Sequence, residues 1–229
     1  MIILIQMKYI YKTKVSNPKR IVCLFHGFMG NKKSIFDIFT EKMADGETLI
    51  IARDAVGHNG RDGSKINWLA VKKDWDRYIN SLRKRYPRIP IILVGASMGG
   101  TIALTIRLTN KNVNQVFAVC ALHDLNEDTV NFQQRLRLIF ASGKLTINNR
   151  LLKKLRMGTP SHYVNKKTYR NNIYLIHSRA DKVVPFSNFV KNKKLFNVPK
   201  SNCRTFNSGG HYETSRRIET EQYIRKKML

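Results

Sequence analysis

The stretch Ile91-Ile92-Leu93-Val94-Gly95-Ala96-Ser97-Met98-Gly99-Gly100-Thr101-Ile102-Ala103-Leu104-Thr105-Ile106 decides how this chain folds. Ile91 to Val94 is an unbroken β-prone apolar run, the pattern of a strand covered on both faces of a parallel sheet. Thr101 to Leu108 reads as the helix that follows. Between them stands Gly-x-Ser-x-Gly, which is weak in isolation and specific when a strand leads into it and a helix leaves it. The requirement is steric. A serine held in a strained backbone conformation lifts its hydroxyl above the sheet, and a side chain two residues away on either side would strike a neighbouring chain. Gly95 and Gly99 answer that requirement for Ser97, and Gly100 relieves the packing of helix on sheet.

Outward from this point the same alternation repeats. Ile21 to Phe25 reads as a second buried strand, Lys33 to Met43 as a helix, Thr48 to Ala52 as a strand, and Asp54 to Ser64 as a Gly-rich loop. Trp68 to Tyr86 is a long amphipathic pattern stopped by Pro87, since proline cannot continue a helix. Val116 to Cys120, Ile173 to Ile176 and Arg204 to Phe206 are further strands. Phe186 to Phe196 and Glu213 to Lys227 supply the remaining helices, and Ile2 to Tyr11 is β-prone. Strands alternating with helices predict an α/β fold of three layers, a mostly parallel central sheet with helices on both faces. Ligands of such sheets bind beyond the carboxyl ends of the strands.

The 229 residues suit one domain spanning 1–229, and 42% hydrophobic with 10% aromatic residues is a globular composition. The apolar runs all fall short of the ~18–20 residues a membrane-spanning helix needs. Met1 to Ile5 carries neither a basic start nor a cleavage site, so no signal peptide is expected. Three cysteines, with Cys23 and Cys120 in apolar strands, fit buried thiols in a reducing compartment, and the cytoplasm is the expected location. The formal net charge of +27 has two readings: a compositional bias that also shows in the Asn and Ile content, or a field that attracts nucleic acid, anionic lipid or acidic substrates.

With the elbow in this context, the chain resembles the α/β-hydrolase superfamily, and within it the small serine carboxylesterase or lipase-like branch. The resemblance covers the chain apart from an insertion. It implies Ser97 as nucleophile. It implies an oxyanion hole at His26-Gly27-Phe28-Met29-Gly30, where the backbone N–H of Phe28 pairs with that of Met98, while His26 itself is structural. It also implies a histidine after the last strand and an acid before it. His211, in Gly209-Gly210-His211-Tyr212-Glu213, meets the first requirement, and His58, His123, His162 and His177 have weaker claims. Asp181, in Asp181-Lys182-Val183-Val184-Pro185, meets the second, with Asp124 after the preceding strand as its rival. Asp54-Ala55-Val56-Gly57-His58-Asn59-Gly60 resembles the superfamily's Asp-x-x-Gly-His-Gly loop, with Asn59 as a departure. Serine rather than aspartate at 97 disfavours dehalogenase and epoxide hydrolase chemistry. No zinc-like Cys/His spacing and no phosphate loop occur, so no metal and no cofactor are expected.

The segment from about 122 to 170 is too long for a single crossover and reads as a helical cap, with helices around Phe132 to Phe140 and Asn149 to Met157. Basic Arg135, Arg137, Lys153 and Arg156 interleave there with Leu136, Ile139, Leu152 and Leu155. That pattern suits an apolar face over an acyl pocket or a surface for anionic lipid. The expected activity is cleavage of a small-molecule carboxylic ester or thioester through an acyl-enzyme. Peptidase and acyltransferase reactions use the same machinery. The alternatives are a lysophospholipase or lipase-like enzyme at anionic lipid surfaces, and a non-catalytic polyanion-binding protein on the same fold. Nucleic acid is not specifically indicated.

Overall fold

Alternate residues of the central strands enter two different cores. Ile21, Cys23 and Phe25 join Ile91 and Leu93 on one face, while Val22 and Leu24 join Ile92 and Val94 on the other, all essentially inaccessible to solvent. This is why these strands are unbroken apolar runs rather than alternating ones. A computed structural model describes residues 4–61, 67–125, 153, 155–163 and 171–228.

In chain order the described strands are β1 (Leu4–Met7), β2 (Ile10–Thr13), β3 (Arg20–Phe25), β4 (Thr48–Arg53), β5 (Ile91–Ala96), β6 (Gln115–Val119), β7 (Ile173–Ser178) and β8 (Cys203–Phe206). The described helices are α1 (Lys32–Met43), α2 (Trp68–Arg85), α3 (Met98–Thr109), α4 (Ser187–Leu195), α5 (His211–Arg216) and α6 (Ile218–Lys227). One sheet runs β1-β2-β4-β3-β5-β6-β7-β8. β1 and β2 form an antiparallel hairpin, β2 meets β4 antiparallel, and the pairings from β4 through β8 are parallel. The β-prone start forms this hairpin in its described residues.

Helices α2 and α3 cover one face through Trp68, Trp75, Ile79, Ile102 and Ile106. Helices α1 and α6 cover the other through Ile35, Phe39, Met43 and Ile224. Each such side chain contributes about 1.5–3 kcal/mol on burial. Asn31 starts α1 with a capping box, its side chain accepting from Ser34 N while Ser34 Oγ accepts from Asn31 N. α2 ends before Pro87, and Arg83 donates to the carbonyls of Pro87, Ile89 and Asn112 beyond it.

The helix expected over Glu213–Lys227 is two helices. Arg217 is extended, with φ −65° and ψ 139°, and divides α5 from α6. The chain turns because Arg217 donates to the Ser208 carbonyl at 2.9 Å and Thr220 Oγ1 to the Thr214 carbonyl at 2.6 Å. The cap expected at 122–170, including Phe132–Phe140, lies mostly outside the described residues. Its described end packs on α2 and α3: Leu155 is buried, and the Gly158 carbonyl accepts from Thr105 Oγ1. No helix among the described residues is long and apolar enough to cross a membrane.

Candidate active site

At the carboxyl end of β5 the chain reverses into α3 through Ser97, whose φ of 57° and ψ of −124° are a conformation L-residues rarely adopt. Such strain, of order 1–3 kcal/mol, persists only where surroundings enforce it. Here Ser97 N–H donates to the Val119 carbonyl at 2.9 Å, and the Ser97 carbonyl accepts from Thr101 N–H and Oγ1–H. The flanking glycines are required by space. A Cβ on Gly95 would stand 2.4 Å from the Gly99 carbonyl oxygen, and one on Gly99 would stand 2.1 Å from that of Phe25.

Above the strand ends lies a cavity of about 520 Å³ whose walls include Phe28, Ile35, Ile38, Ser97, Val183 and His211. Asp181, in the turn after β7, is held from three sides. Its Oδ1 accepts from the N–H groups of Val183 and Val184, both at 2.8 Å. Its Oδ2 lies 2.7 Å from His211 Nδ1. Burial pushes the Asp181 carboxyl up, but His211, the Val184 N–H and His177 outweigh it and hold it below the ordinary carboxylate range. The rival Asp124 is elsewhere, accepting from Leu125 N–H and lying 3.4 Å from Arg156 Nε. The structure thus brings Asp181, not Asp124, to His211.

His26 is fixed between two backbone groups. Its Nε2 accepts from Ala55 N–H at 2.9 Å, which makes Nδ1 the protonated nitrogen and the donor to the Gly27 carbonyl at 2.8 Å. Burial lowers its pKa to about 4, so the ring stays neutral. His177 donates from Nε2 to the Val184 carbonyl. His123 sits against Asn192, and His162 against Tyr163. Phe28 lines the cavity directly, and Met98 is the first residue of α3, at the end where helix N–H groups lack intrahelical acceptors.

The Asp54 loop is a structural clasp. The fully buried Asp54 carboxylate accepts from Lys32 N at 2.7 Å, Lys32 Nζ at 2.9 Å and Asn59 Nδ2 at 3.1 Å. Asn59, the departure from the superfamily pattern, takes a left-handed φ of 50° that asparagine tolerates.

Among the cavity residues that the sequence does not single out, Cys120 and Arg216 carry a thiol and a charge. The apolar run extends the strand to Cys120, yet β6 ends at Val119 and Cys120 turns with φ 48° to line the cavity, near Asp181. Burial, then the Asp181 charge, pushes its thiol well above the usual range. Arg216, the last residue of α5, lines the cavity too. The available signals were their places, one just past a strand end and one five residues after His211. Cys120, Asp181 and His211 each bring a ligand atom within 4.8 Å of the others. A soft divalent cation could contact all three, but engaging His211 Nδ1 would break its bond to Asp181.

The family described as serine aminopeptidase, S33, matches residues 16–184, a span that holds Ser97 and Asp181 and stops before His211. Rat monoglyceride lipase is 29% identical over 90 residues, which is 38% of this chain and 29% of that protein. A monoglyceride lipase homolog of Monkeypox virus is 26% identical over 106 residues, 45% of this chain and 38% of that protein. The matched stretches thus span between 29% and 38% of these relatives' lengths. The Pyrococcus furiosus esterase Pf2001 superposes with a TM-score of 0.70 at 15% identity, covering 99% of this chain and 89% of that one.

Proposed function

Because the chain belongs to the serine aminopeptidase S33 family and has the α/β-hydrolase fold, we propose that it cleaves a carboxylic ester or thioester through an acyl-enzyme. The observation that carries the reading is the Asp181–His211 pair at 2.7 Å, with His211 and the strained Ser97 lining one cavity.

In this mechanism Ser97 Oγ attacks the substrate carbonyl carbon while His211 Nε2 takes its proton. A free hydroxyl is a poor nucleophile without such a base. Asp181 keeps Nδ1 protonated and stabilises the imidazolium. The carbonyl oxygen gains charge, and the amides of Phe28 and Met98 receive it. One such donor is typically worth ~10²–10³ in turnover. Collapse expels the alcohol or thiol with the proton from His211. Water then repeats the sequence on the acyl-serine and releases the acid. Names of the relatives and the apolar cavity wall support a lipid-like acyl group, and exposed Met29 and Tyr212 at that cavity suit an ester presented by a lipid surface.

The test is reaction of the purified protein with a fluorophosphonate and with a short p-nitrophenyl ester. Labelling and turnover that Ser97→Ala abolishes are expected. Salt-steep binding to polyanions that is indifferent to Ser97→Ala, with no labelling, would favour the non-catalytic reading instead.

A further inference from the structure

We propose that Arg216 makes this cavity select esters carrying a negative charge, a phosphate monoester or a carboxylate, an inference that rests on the hydrolytic role of Ser97. Arg216 lines the same cavity as Ser97 and His211, from the far end of the helix that His211 begins. Five residues of α-helix advance about 7.5 Å along the axis, which separates the backbone of Arg216 from that of His211 by a distance an arginine side chain can span. No hydrogen bond or ion pair joins that guanidinium to another described residue. No aspartate or glutamate is among the residues lining the cavity. A cation is thus presented to whatever enters, without a counter-charge supplied by the described walls.

Guanidinium matches carboxylate and phosphate with paired, charge-assisted hydrogen bonds, and Arg216 offers its group from a solvent-exposed position of the cavity lining. Phe28, Ile35, Ile38 and Val183 of the same lining are apolar and suit an acyl chain. The net charge of +27 adds attraction at long range, and only at long range. The ligand that answers all of this is an anionic amphiphile that carries an ester.

The experiment compares matched soluble substrates: 1-hexanoylglycerol with its 3-phosphate, and p-nitrophenyl butyrate with the singly charged p-nitrophenyl adipate. The expected result is a preference of roughly tenfold or more for the charged member of at least one pair, expressed in KM. The two pairs separate phosphate from carboxylate as the recognised group. Arg216→Gln should bring the charged-to-neutral ratio of kcat/KM close to unity, and Arg216→Glu should invert it. Lys194→Gln removes the same charge from an exposed position of α4 outside the cavity lining and should leave the ratio as in the wild type. In a Ser97→Ala background, calorimetry should show roughly tenfold weaker binding of the phosphorylated ester when Arg216→Gln is added.

A ratio that Arg216→Gln and Lys194→Gln lower equally assigns the preference to the overall field and overturns the proposal. So does a wild-type preference for the neutral esters. A protein that reacts with fluorophosphonate yet shows no charge preference refutes this inference alone. One that neither reacts with it nor hydrolyses any ester removes the hydrolytic reading and this inference with it.

Discussion

His211 Nδ1 lies 2.7 Å from Asp181 Oδ2, while the other oxygen of that carboxylate is held by two backbone N–H groups. The carboxylate therefore fixes the ring without being free to swing. Asp181→Asn should retain the fold, because an amide oxygen can still accept from Val183 and Val184. It should lower kcat on an activated ester by on the order of 10⁴-fold, since the ring loses its tautomer and its counter-charge. Ser97→Ala should lower kcat at least as far, and the double variant little further, because groups acting as a unit are not additive. Steady-state kinetics of the three proteins checks this.

The neutral His26 gives stability a defined pH dependence. Its folded pKa of about 4 lies below the ordinary 6.5 because the ring is buried. The unfolded chain therefore takes up a proton that the folded one resists. Its contribution is fully present above pH 6.5 and is lost as pH falls from 6.5 toward 4, by up to about 3 kcal/mol. Urea midpoints at pH 7 and pH 5 should lie closer together in His26→Gln than in the wild type, the remaining gap coming from His58, His123 and His177, whose pKa values burial also lowers. Asp181 acts lower on the scale. A carboxyl held below its ordinary range gives stability that is lost only as acid takes pH through that lowered value.

Two glycines separate crowding from strain. Gly99→Ala places a methyl 2.1 Å from the Phe25 carbonyl oxygen, so backbone must move. A loss of at least about 1–3 kcal/mol is expected, with a larger proportional loss of turnover. Gly46→Ala has φ +80° and nothing within 4 Å of the new methyl. It should cost only about 1 kcal/mol, from backbone strain, and leave turnover as it was. Denaturant melts and ester kinetics on both variants decide it.

The thiols should react in an order set by burial. Cys23 is pushed up to about 12 by full burial, and Cys120 is raised well above its usual value. Cys203 is half-buried and less shifted. Mass-spectrometric mapping of iodoacetamide adducts on the native protein should find Cys203 modified first. Cys120 should follow only on unfolding.

What the sequence makes legible here is whatever depends on neighbours along the chain. The strands show because both faces of the sheet are covered, so no polar residue interrupts Ile21–Phe25 or Ile91–Val94. The elbow shows because its glycines are needed within two residues of Ser97. Asp181 and His211 stand after strands where the superfamily resemblance implies an acid and a histidine, and the structure sets them against each other. The division of α5 from α6 was hidden, because the helical pattern runs through Arg217 and the turn is imposed from Ser208. Cys120 and Arg216 were hidden for a similar reason. Which side chains share a cavity depends on elements that meet only after folding.

The crowding at Gly99 has a further consequence. The carbonyls of Phe25 and His26 occupy the space where its side chain would be, so the height of Ser97 above the sheet is set by the spacing of two adjacent strands. The site inherits the tolerances of its scaffold, as a bearing inherits those of its housing. A substitution in the β3–β5 interior that shifts one strand by a few tenths of an ångström would misplace the hydroxyl without touching a substrate. Screens for impaired turnover should therefore recover core positions such as Leu24 and Val94 alongside cavity ones, in proteins that still fold.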